Sequence, residues 1–98
     1  MLAEPGEVIM KKVIIVVYGK DKPGIIYNVT KILFENKMNV LDIKQTIVGG
    51  YFNMMTVADC SKTKVLSKVK EELEKYSKKA KLNINMHLEE AFDAMHSV

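Results

Sequence analysis

The spacing of apolar residues changes several times along the chain, and the first change separates a predicted strand from a predicted helix. Val13–Tyr18 is an uninterrupted apolar run, which is typical of a strand in the middle of a sheet with both faces covered. Gly19–Gly24 is a turn, in which Pro23 presets the backbone for a first helical turn and Asp21 or Lys22 stands where a cap would fall. The pattern therefore begins with a central strand and a helix.

Helical spacing then gives way to the alternation of strands. Apolar residues recur at steps of three and four up to about residue 36, which predicts an amphipathic helix. Apolar and polar residues alternate in Leu41–Ile47, so a half-exposed strand is predicted there. Gly49-Gly50 is a two-residue hairpin signal, and Tyr51–Cys60 is predicted to return antiparallel. The apolar stripe of the helix comprises Ile25, Ile26, Val29, Ile32 and Leu33.

A second helix, a fourth strand and a short tail complete the pattern. Ser61 or Thr63 is placed to cap the second helix. Leu82–Leu88 alternates strictly between apolar and polar residues, the clearest strand signal in the chain. In the tail, Leu88, Ala91 or Phe92, and Met95 fall on one helical face and predict a last short helix. The stripe of the second helix is Val65 or Leu66, with Val69, Leu73 and Tyr76.

The predicted order βαββαβ is that of the split βαβ arrangement, an α+β fold in which two helices cover one face of a four-stranded antiparallel sheet. The other face is left bare, so the tail or a second copy must shield it. A chain of 98 residues is marginally stable alone, and we expect a homodimer to which the tail contributes. Met10-Lys11-Lys12 resembles a second translation start, so residues 1–10 are interpreted as an extension and residues 11–98 as one domain.

The cysteine content and the amino terminus bear on the compartment. The single cysteine, Cys60, cannot form an internal disulfide or a two-thiolate metal site, which agrees with a reducing compartment. It is predicted to be a small core residue at a strand end. Met1–Glu7 carries two acidic residues and no lysine, unlike a secretory signal, and no apolar run reaches the length of a membrane span. We therefore expect a cytoplasmic protein that does not bind membranes.

The basic residues argue against nucleic acid as a partner. All 15 are lysines, and lysine lacks the planar fork that grips phosphates and guanine edges. Residues 62–81 hold eight lysines and three glutamates; this is either a phosphate-seeking face or, as we favour, a solvated helix face with Glu–Lys pairs. Tyr18, Tyr51 and Phe52 suggest the stacking platform of an RNA-recognition module, but Asn53–Val57 lacks its aromatic spacing.

Candidate catalytic and metal sites have weak signals. Glu89, Asp93 and His96 have helical spacing that suits a divalent metal, although solvated side chains are the simpler interpretation. Neither His87 nor His96 has a nucleophile beside it in the sequence, so no set of acid, base and nucleophile emerges. We therefore expect a protein that is not an enzyme and that holds no metal or cofactor.

The strongest local signal is the turn before the first helix. The backbone N–H groups of Gly24, Ile25 and Ile26 are left without intrahelical acceptors at the positive end of the helix dipole. They are placed to hold a carboxylate, with the amino group of the same ligand against Asp21 or the side-chain carbonyl of Asn39. The alternative is an ordinary tight connection between a strand and a helix.

These residues also resemble a known family. Lys20–Ile25 after an apolar strand, with Asn39-Val40 opening the next strand, resembles the ACT domain, a regulatory module that generally binds amino acids. Asn39–Ile47, Gly50–Phe52 and Ala94–His96 are similar to small stand-alone ACT proteins, which are relatives of the amino-terminal domain of formyltetrahydrofolate deformylase and of the glycine-cleavage repressor. The resemblance covers about residues 11–89 and implies a ferredoxin-like fold.

The resemblance further implies dimers, side by side or face to face, with a ligand at their interface. We therefore expect a non-catalytic regulatory domain that binds a small amino acid and alters subunit packing or a partner protein. The alternative is an assembly module that binds no metabolite and docks on an unidentified protein through its lysine-rich second helix. Asp42 and Gln45 match the stand-alone proteins and are interpreted as exposed strand positions. The implied ligand-binding residues are Asp21, Pro23, Gly24, Ile25, Ile26, Asn39 and Val40.

Overall fold

A computed structural model of the protein describes the backbone of residues 11–96 and the side chains of residues 11–92. The predicted order βαββαβ and the short last helix are confirmed, and the fold is ferredoxin-like. The predicted extension at residues 1–10 lies outside the described residues. The elements are β1 (Lys12–Lys20), α1 (Ile25–Glu35), β2 (Asn39–Val48), β3 (Tyr51–Asp59), α2 (Leu66–Ala80), β4 (Asn83–Leu88) and α3 (Glu89–His96).

The four strands form one antiparallel sheet in the order β2-β3-β1-β4. β1 pairs with strands on both sides, as its unbroken apolar run predicts. Gly49 and Gly50 both have positive φ, 58° and 83°, which is the backbone of a tight two-residue hairpin between β2 and β3. At the end of α1, Lys37 takes the left-handed conformation with φ 64° and closes the helix.

The helix-facing side of the sheet carries the core. Alternate residues of β1 point towards α1 and α2, because successive strand side chains lie on opposite faces. Cys60 is 3% exposed and belongs to this core, as predicted, and its burial raises the pKa of the thiol. The most buried side chains of the core include Val13, Ile15, Val17, Val29, Leu33 and Val69.

The opposite face of the sheet is covered at one end by α3. Ile14 is only 5% exposed although it does not belong to the main core. It lies opposite His87 of β4, whose ring is 5.9 Å from the ring of Phe92 in α3. The tail therefore shields part of the face that the sequence pattern left bare. Tyr18 and Tyr51 remain about half exposed on the uncovered part.

Both helix starts differ from the sequence prediction. α1 has Gly24 at its N-cap and α2 has Val65, and neither has a side-chain cap. Thr63 instead donates its hydroxyl hydrogen to the carbonyl of Asn36, at 2.8 Å. The connection is thereby fastened to the end of α1 before α2 begins, so the helix starts later than a cap at residue 61 or 63 predicts.

β2 is more exposed than its alternation predicts. It lies at the edge of the sheet, where α1 covers only part of it. Val40 and Ile43 are half-buried, whereas Ile47 is 54% exposed and Leu41 occupies a β-bulge. A bulge leaves one residue outside the regular ladder, which explains why Leu41 does not reach the core.

The lysines of α2 are exposed, as both the solvated face and the phosphate-seeking face require. Glu74 and Lys78 form an ion pair at 3.7 Å across one helical turn, with both side chains mostly exposed. Such a pair contributes little to stability because water screens it.

Among the described residues, no helix is both long enough and apolar enough to span a bilayer.

Replacing Thr56 with valine is expected to stabilise the protein by about 1 kcal/mol. The Thr56 side chain is fully buried among the apolar residues of the core, and its hydroxyl has no hydrogen-bond partner within the described residues. Valine has nearly the same shape and no polar group to desolvate. Urea unfolding followed by circular dichroism measures the change. Thr46→Val, on an exposed position of β2, is the control and should change stability little; a destabilised Thr56→Val variant would contradict the interpretation.

Candidate ligand-binding loop at the start of the first helix

The loop between β1 and α1 takes its shape from Gly24. This residue is left-handed, with φ 85° and ψ 5°, and α1 begins at Ile25 immediately after it. The left-handed region disfavours residues that carry a Cβ atom. A Cβ atom at this position would also lie 3.2 Å from the side-chain nitrogen of Asn28. A residue other than glycine at position 24, which is exposed, would therefore strain both the backbone and the contact with Asn28.

Hydrogen bonds to two distant parts of the fold, the β2–β3 turn and the end of α2, hold the loop in place. The backbone N–H of Asp21 donates to the carbonyl of Gly50, at 2.9 Å, which joins the loop to the β2–β3 turn. The ammonium group of Lys22 donates to the carbonyl of Ala80 at the last residue of α2, where a cation is favoured by the helix dipole. Neither Asp21 nor Lys22 caps α1; both instead anchor the loop.

Asn28 fixes the loop from inside α1. Its side-chain nitrogen donates to the carbonyl of Gly24, at 2.7 Å, and its backbone N–H donates to the same carbonyl, at 2.9 Å. Its side chain also forms a hydrogen bond with Tyr76 of α2; burial raises the pKa of Tyr76, and this bond partly opposes the shift. The loop is thus rigidly positioned before any ligand arrives, which lowers the entropic cost of binding.

The start of α1 is suited to a carboxylate. Within the described residues, the backbone N–H groups of Ile25, Ile26 and Tyr27 have no hydrogen-bond acceptor in the protein. They lie at the positive end of the helix dipole, and the first turn holds no acidic side chain to neutralise it. An anion here would meet several donors and a favourable field.

A concavity of 340 Å³ lies directly beside these N–H groups. One wall is the loop with the start of α1, and the facing wall consists of Gln45, Ile47 and Phe52 from β2 and β3. The exposed carboxylate of Asp21 lies on its rim. The concavity therefore combines an anion-binding helix start, an acidic group and an apolar wall.

The structure brings together only part of the set implied by the resemblance. Asp21, Gly24, Ile25 and Ile26 line this concavity, and Pro23 lies within the same loop. Asn39 and Val40 do not line it. They border a separate concavity of 440 Å³ between α1 and the start of β2, which also includes Tyr27, Phe34 and Met38.

The loop concavity also has lining residues that were absent from the predicted set. Lys22 and Tyr27 belong to the loop and the start of α1, whereas Gln45, Ile47 and Phe52 form the facing wall. The three wall residues come from the far end of β2 and from β3, so the hairpin brings them to the loop. The sequence contained a partial signal, because Gln45 and Ile47 share one face of the alternating strand. The alternation of apolar and polar residues in β2 does not show that the loop before α1 lies opposite that face.

The other chemical groups do not assemble into a site. Within the residues whose side chains are described, no group of three potential metal ligands occurs; Asp93 and His96 of the metal alternative fall outside them. The pKa of Asp59 is lowered because its carboxylate accepts a hydrogen bond from the backbone N–H of Ser61, at 2.9 Å. This arrangement closes the turn after β3 and has no partner group suited to catalysis among the described residues.

Comparison with known proteins identifies the family and agrees with the fold. The family model of the ACT domain matches residues 11–87. The chain belongs to the ACT domain family. A UPF0237 protein of Clostridium perfringens is 45% identical over 86 residues, which are 87% of this chain and 97% of the relative. The recognition made from the loop and the start of β2 is thus confirmed.

Solved structures show the same ACT fold. An ACT domain protein from Streptococcus pneumoniae has a TM-score of 0.72 and 30% identity, over 92% of this chain and 98% of the other. Formyltetrahydrofolate deformylase from Burkholderia mallei has a TM-score of 0.74 and 11% identity, over 80% and 28%. A putative glycine cleavage system transcriptional repressor has a TM-score of 0.70 and 18% identity, over 83% and 47%. The last two similarities concern the fold.

Proposed function

We propose that this ACT domain binds a free amino acid at the loop before α1 and that binding regulates how two copies of the chain pack. The observation that carries the proposal is the row of N–H groups at the start of α1 that have no acceptor within the described residues, beside a concavity with an acidic rim and an apolar wall. An amino acid presents the matching features: a carboxylate, an ammonium group and a side chain.

Each part of such a ligand has a counterpart in the loop concavity. Its carboxylate accepts hydrogen bonds from the N–H groups of Ile25 and Ile26, where the helix dipole favours negative charge. Its ammonium group lies against the carboxylate of Asp21, a charge-assisted contact. Its side chain rests on Ile47 and Phe52. The concavity is shallow on its outer side, so a second surface is needed to enclose the ligand.

A second copy of the chain can supply that surface. The apolar side chains next to the β2 edge are unusually exposed: Tyr27 is 64% exposed and Phe34 is 78% exposed. Large exposed aromatic residues beside an unpaired strand edge are typical of a contact surface. Asn39 and Val40, which lie away from the loop in one copy, are then available to the ligand bound by the other copy.

Regulation follows from shared contacts. A ligand that touches both copies binds more tightly to the packing in which both sets of contacts are made, and it therefore shifts the population towards that packing. If a partner protein binds only one packing of the two copies, its binding depends on the amino acid concentration. The ACT domain itself performs no chemical step in this scheme.

Titration calorimetry against the twenty amino acids tests the proposal. We expect at least one to bind, and we expect Asp21→Ala to weaken its binding at least tenfold because the ammonium group loses its counter-charge. Glu71→Ala, which removes an exposed carboxylate from α2, is the matched control and should bind as the wild type does. If none of the twenty binds, the sensor proposal is wrong and the assembly module remains.

Gly24→Val tests the site itself. Valine disfavours the left-handed backbone and its Cβ atom crowds Asn28, so the variant should lose measurable binding and also about 1–2 kcal/mol of stability. Circular dichroism establishes that the variant is folded under the conditions of the titration. Retained affinity in a folded Gly24→Val variant would show that the ligand binds elsewhere.

A further inference from the structure

Part of the sheet face that points away from α1 and α2 is left uncovered. α3 shields the end of this face where Ile14 and His87 lie. The uncovered part extends from there to the β2–β3 turn, and we name it the open half of the sheet. It consists of the side chains on that face from residues 16–20 of β1, 44–48 of β2, 51–55 of β3 and 83–85 of β4.

Two tyrosines lie next to each other on the two central strands of the open half. Tyr18 of β1 is opposite Asn53 of β3, and Tyr51 is two residues from Asn53 on the same face. The two tyrosines are therefore diagonal neighbours, about 7–8 Å apart in a regular ladder. Tyr18 is 46% exposed and Tyr51 is 55% exposed. Two exposed rings at this spacing form a platform on which two planar groups of one ligand can stack.

A concavity of 350 Å³ continues the platform towards β2. Val16 and Met55 contribute apolar surface to it, and Lys44, Thr46 and Asn53 contribute polar groups. A nucleobase has the matching chemistry, since its flat faces are apolar and its edge carries hydrogen-bond donors and acceptors. The platform and the concavity together offer positions for about three bases of a single strand.

The charges of the open half favour a polyanion. Among the described residues, this half carries two exposed lysines, Lys20 and Lys44, and no carboxylate. Lys20 is opposite Tyr51 in the ladder, and Lys44 is opposite Met55, so the two cations flank the platform and the concavity. The same half of a second copy would bring two further lysines and no counter-charge. A phosphodiester backbone supplies negative charge along its whole length.

We propose that the open half of the sheet binds single-stranded nucleic acid, with adjacent bases stacked on Tyr18 and Tyr51 and with backbone phosphates beside Lys20 and Lys44. RNA-recognition modules stack bases on a four-stranded sheet of the same element order, a likeness of fold alone. The aromatic partner of Tyr18 is the first residue of β3, so the missing aromatic spacing in residues 53–57 leaves the platform intact.

The lack of arginine limits what such a site can recognise. Without arginine the chain cannot read guanine edges in bidentate fashion. Stacking needs only a planar side chain, and every base has a face that stacks. We therefore expect binding that tolerates changes of base sequence. The open half lies on the other side of the sheet from the loop concavity, so this inference does not depend on the binding of an amino acid.

Fluorescence anisotropy with labelled strands of about eight nucleotides tests the platform. The probes are oligouridine and oligothymidine; binding of either supports the proposal, and the tighter one shows whether RNA or DNA is preferred. Tyr18→Ala and Tyr51→Ala should each weaken binding at least about tenfold, because each removes one stacked base. Tyr18→Phe keeps the ring and should bind within about threefold of the wild type. Circular dichroism establishes that the variants are folded.

The dependence of binding on salt tests the two lysines. The logarithm of the association constant should fall with the logarithm of the salt concentration, with a slope of about −1.4 for two neutralised phosphates on a single strand. Lys44→Ala should reduce the steepness of this slope by about 0.7. Lys75→Ala removes the same charge from an exposed position of α2, on the other side of the sheet, and should leave the slope and the affinity unchanged.

Four results would overturn the proposal. The first is a wild type that binds neither strand at low ionic strength, and the second is unchanged affinity of the two alanine variants at Tyr18 and Tyr51. The third is equal binding of a duplex of the same length, whose bases are not available for stacking. The fourth is uridine monophosphate binding as tightly as the strand, which would indicate a nucleotide site. Amino acid binding is measured separately, so failure of this proposal is distinguishable from failure of the proposed function.

Discussion

Ile15→Ala is expected to lower the free energy of unfolding by about 4 kcal/mol. Ile15 is completely buried in the middle of β1, between Thr56 of β3 and Met86 of β4. It is covered on its other side by α1 and α2, so the cavity left by the missing atoms cannot collapse without moving several elements at once. A domain of this size has a total stability of about 5–10 kcal/mol, and the loss is therefore a large part of it.

Val16→Ala is the matched control for this prediction. Val16 is the next residue in β1 and points to the opposite face, where it is half-buried. Truncation of Val16 should lower the free energy of unfolding by about 1 kcal/mol, because the side chain is only partly removed from water. Urea unfolding at one fixed protein concentration compares the two variants, since self-association contributes to apparent stability. Equal losses for both would contradict the assignment of the main core to the helix-facing side.

Gly19→Ala is expected to lower the free energy of unfolding by about 3 kcal/mol, a large effect for the addition of one methyl group. Gly19 lies near the end of β1 with φ 154°, a backbone conformation that residues with a Cβ atom rarely adopt. A Cβ atom there would be 2.8 Å from Leu82 Cδ2 and 3.4 Å from the carbonyl oxygen of Lys81. Both the backbone and the packing against the start of β4 therefore oppose the substitution.

Gly49→Ala separates these two causes. Gly49 also has positive φ, 58°, but a Cβ atom there would meet no atom within 4 Å. Its substitution should cost about 1 kcal/mol, the ordinary penalty for an alanine in the left-handed region. The midpoints of urea unfolding give the difference between the two variants. If Gly19→Ala costs no more than Gly49→Ala, the close approach of β1 to Leu82 does not limit the residue at position 19.

Much of the fold could be predicted from the periods in the sequence. The unbroken run Val13–Tyr18 correctly indicated a strand with neighbours on both sides, and Gly49-Gly50 correctly indicated the hairpin. These features are local, because a residue's face is set by its own strand or helix. The helix caps were predicted wrongly because they depend on contacts between residues that are distant in the sequence. Lys22 and Thr63 find their partners at Ala80 and Asn36, which are distant in the sequence.

The candidate site was predictable only in its first half. The turn Lys20–Gly24 predicts a helix start whose N–H groups have no intrahelical acceptors. The structure has such N–H groups beside a concavity. The opposite wall depends on which end of β2 passes the loop. That is set by the hairpin and by the hydrogen bond from Asp21 to Gly50, neither of which has a signature in the spacing of apolar residues.

The sequence by itself determined the order of the elements, the inward face of β1, most of the apolar stripe of α1 and α2 and the chemistry of the loop before α1, because these follow from short-range periodicity and from single residues with restricted backbones. Only the tertiary structure decided that Gln45, Ile47 and Phe52 face the loop, that Asn39 and Val40 do not, and that Ile14 is covered by α3. Such contacts depend on strand order, on the bulge at Leu41 and on the path of the tail. These are properties of the packed chain, in which residues far apart in sequence become neighbours.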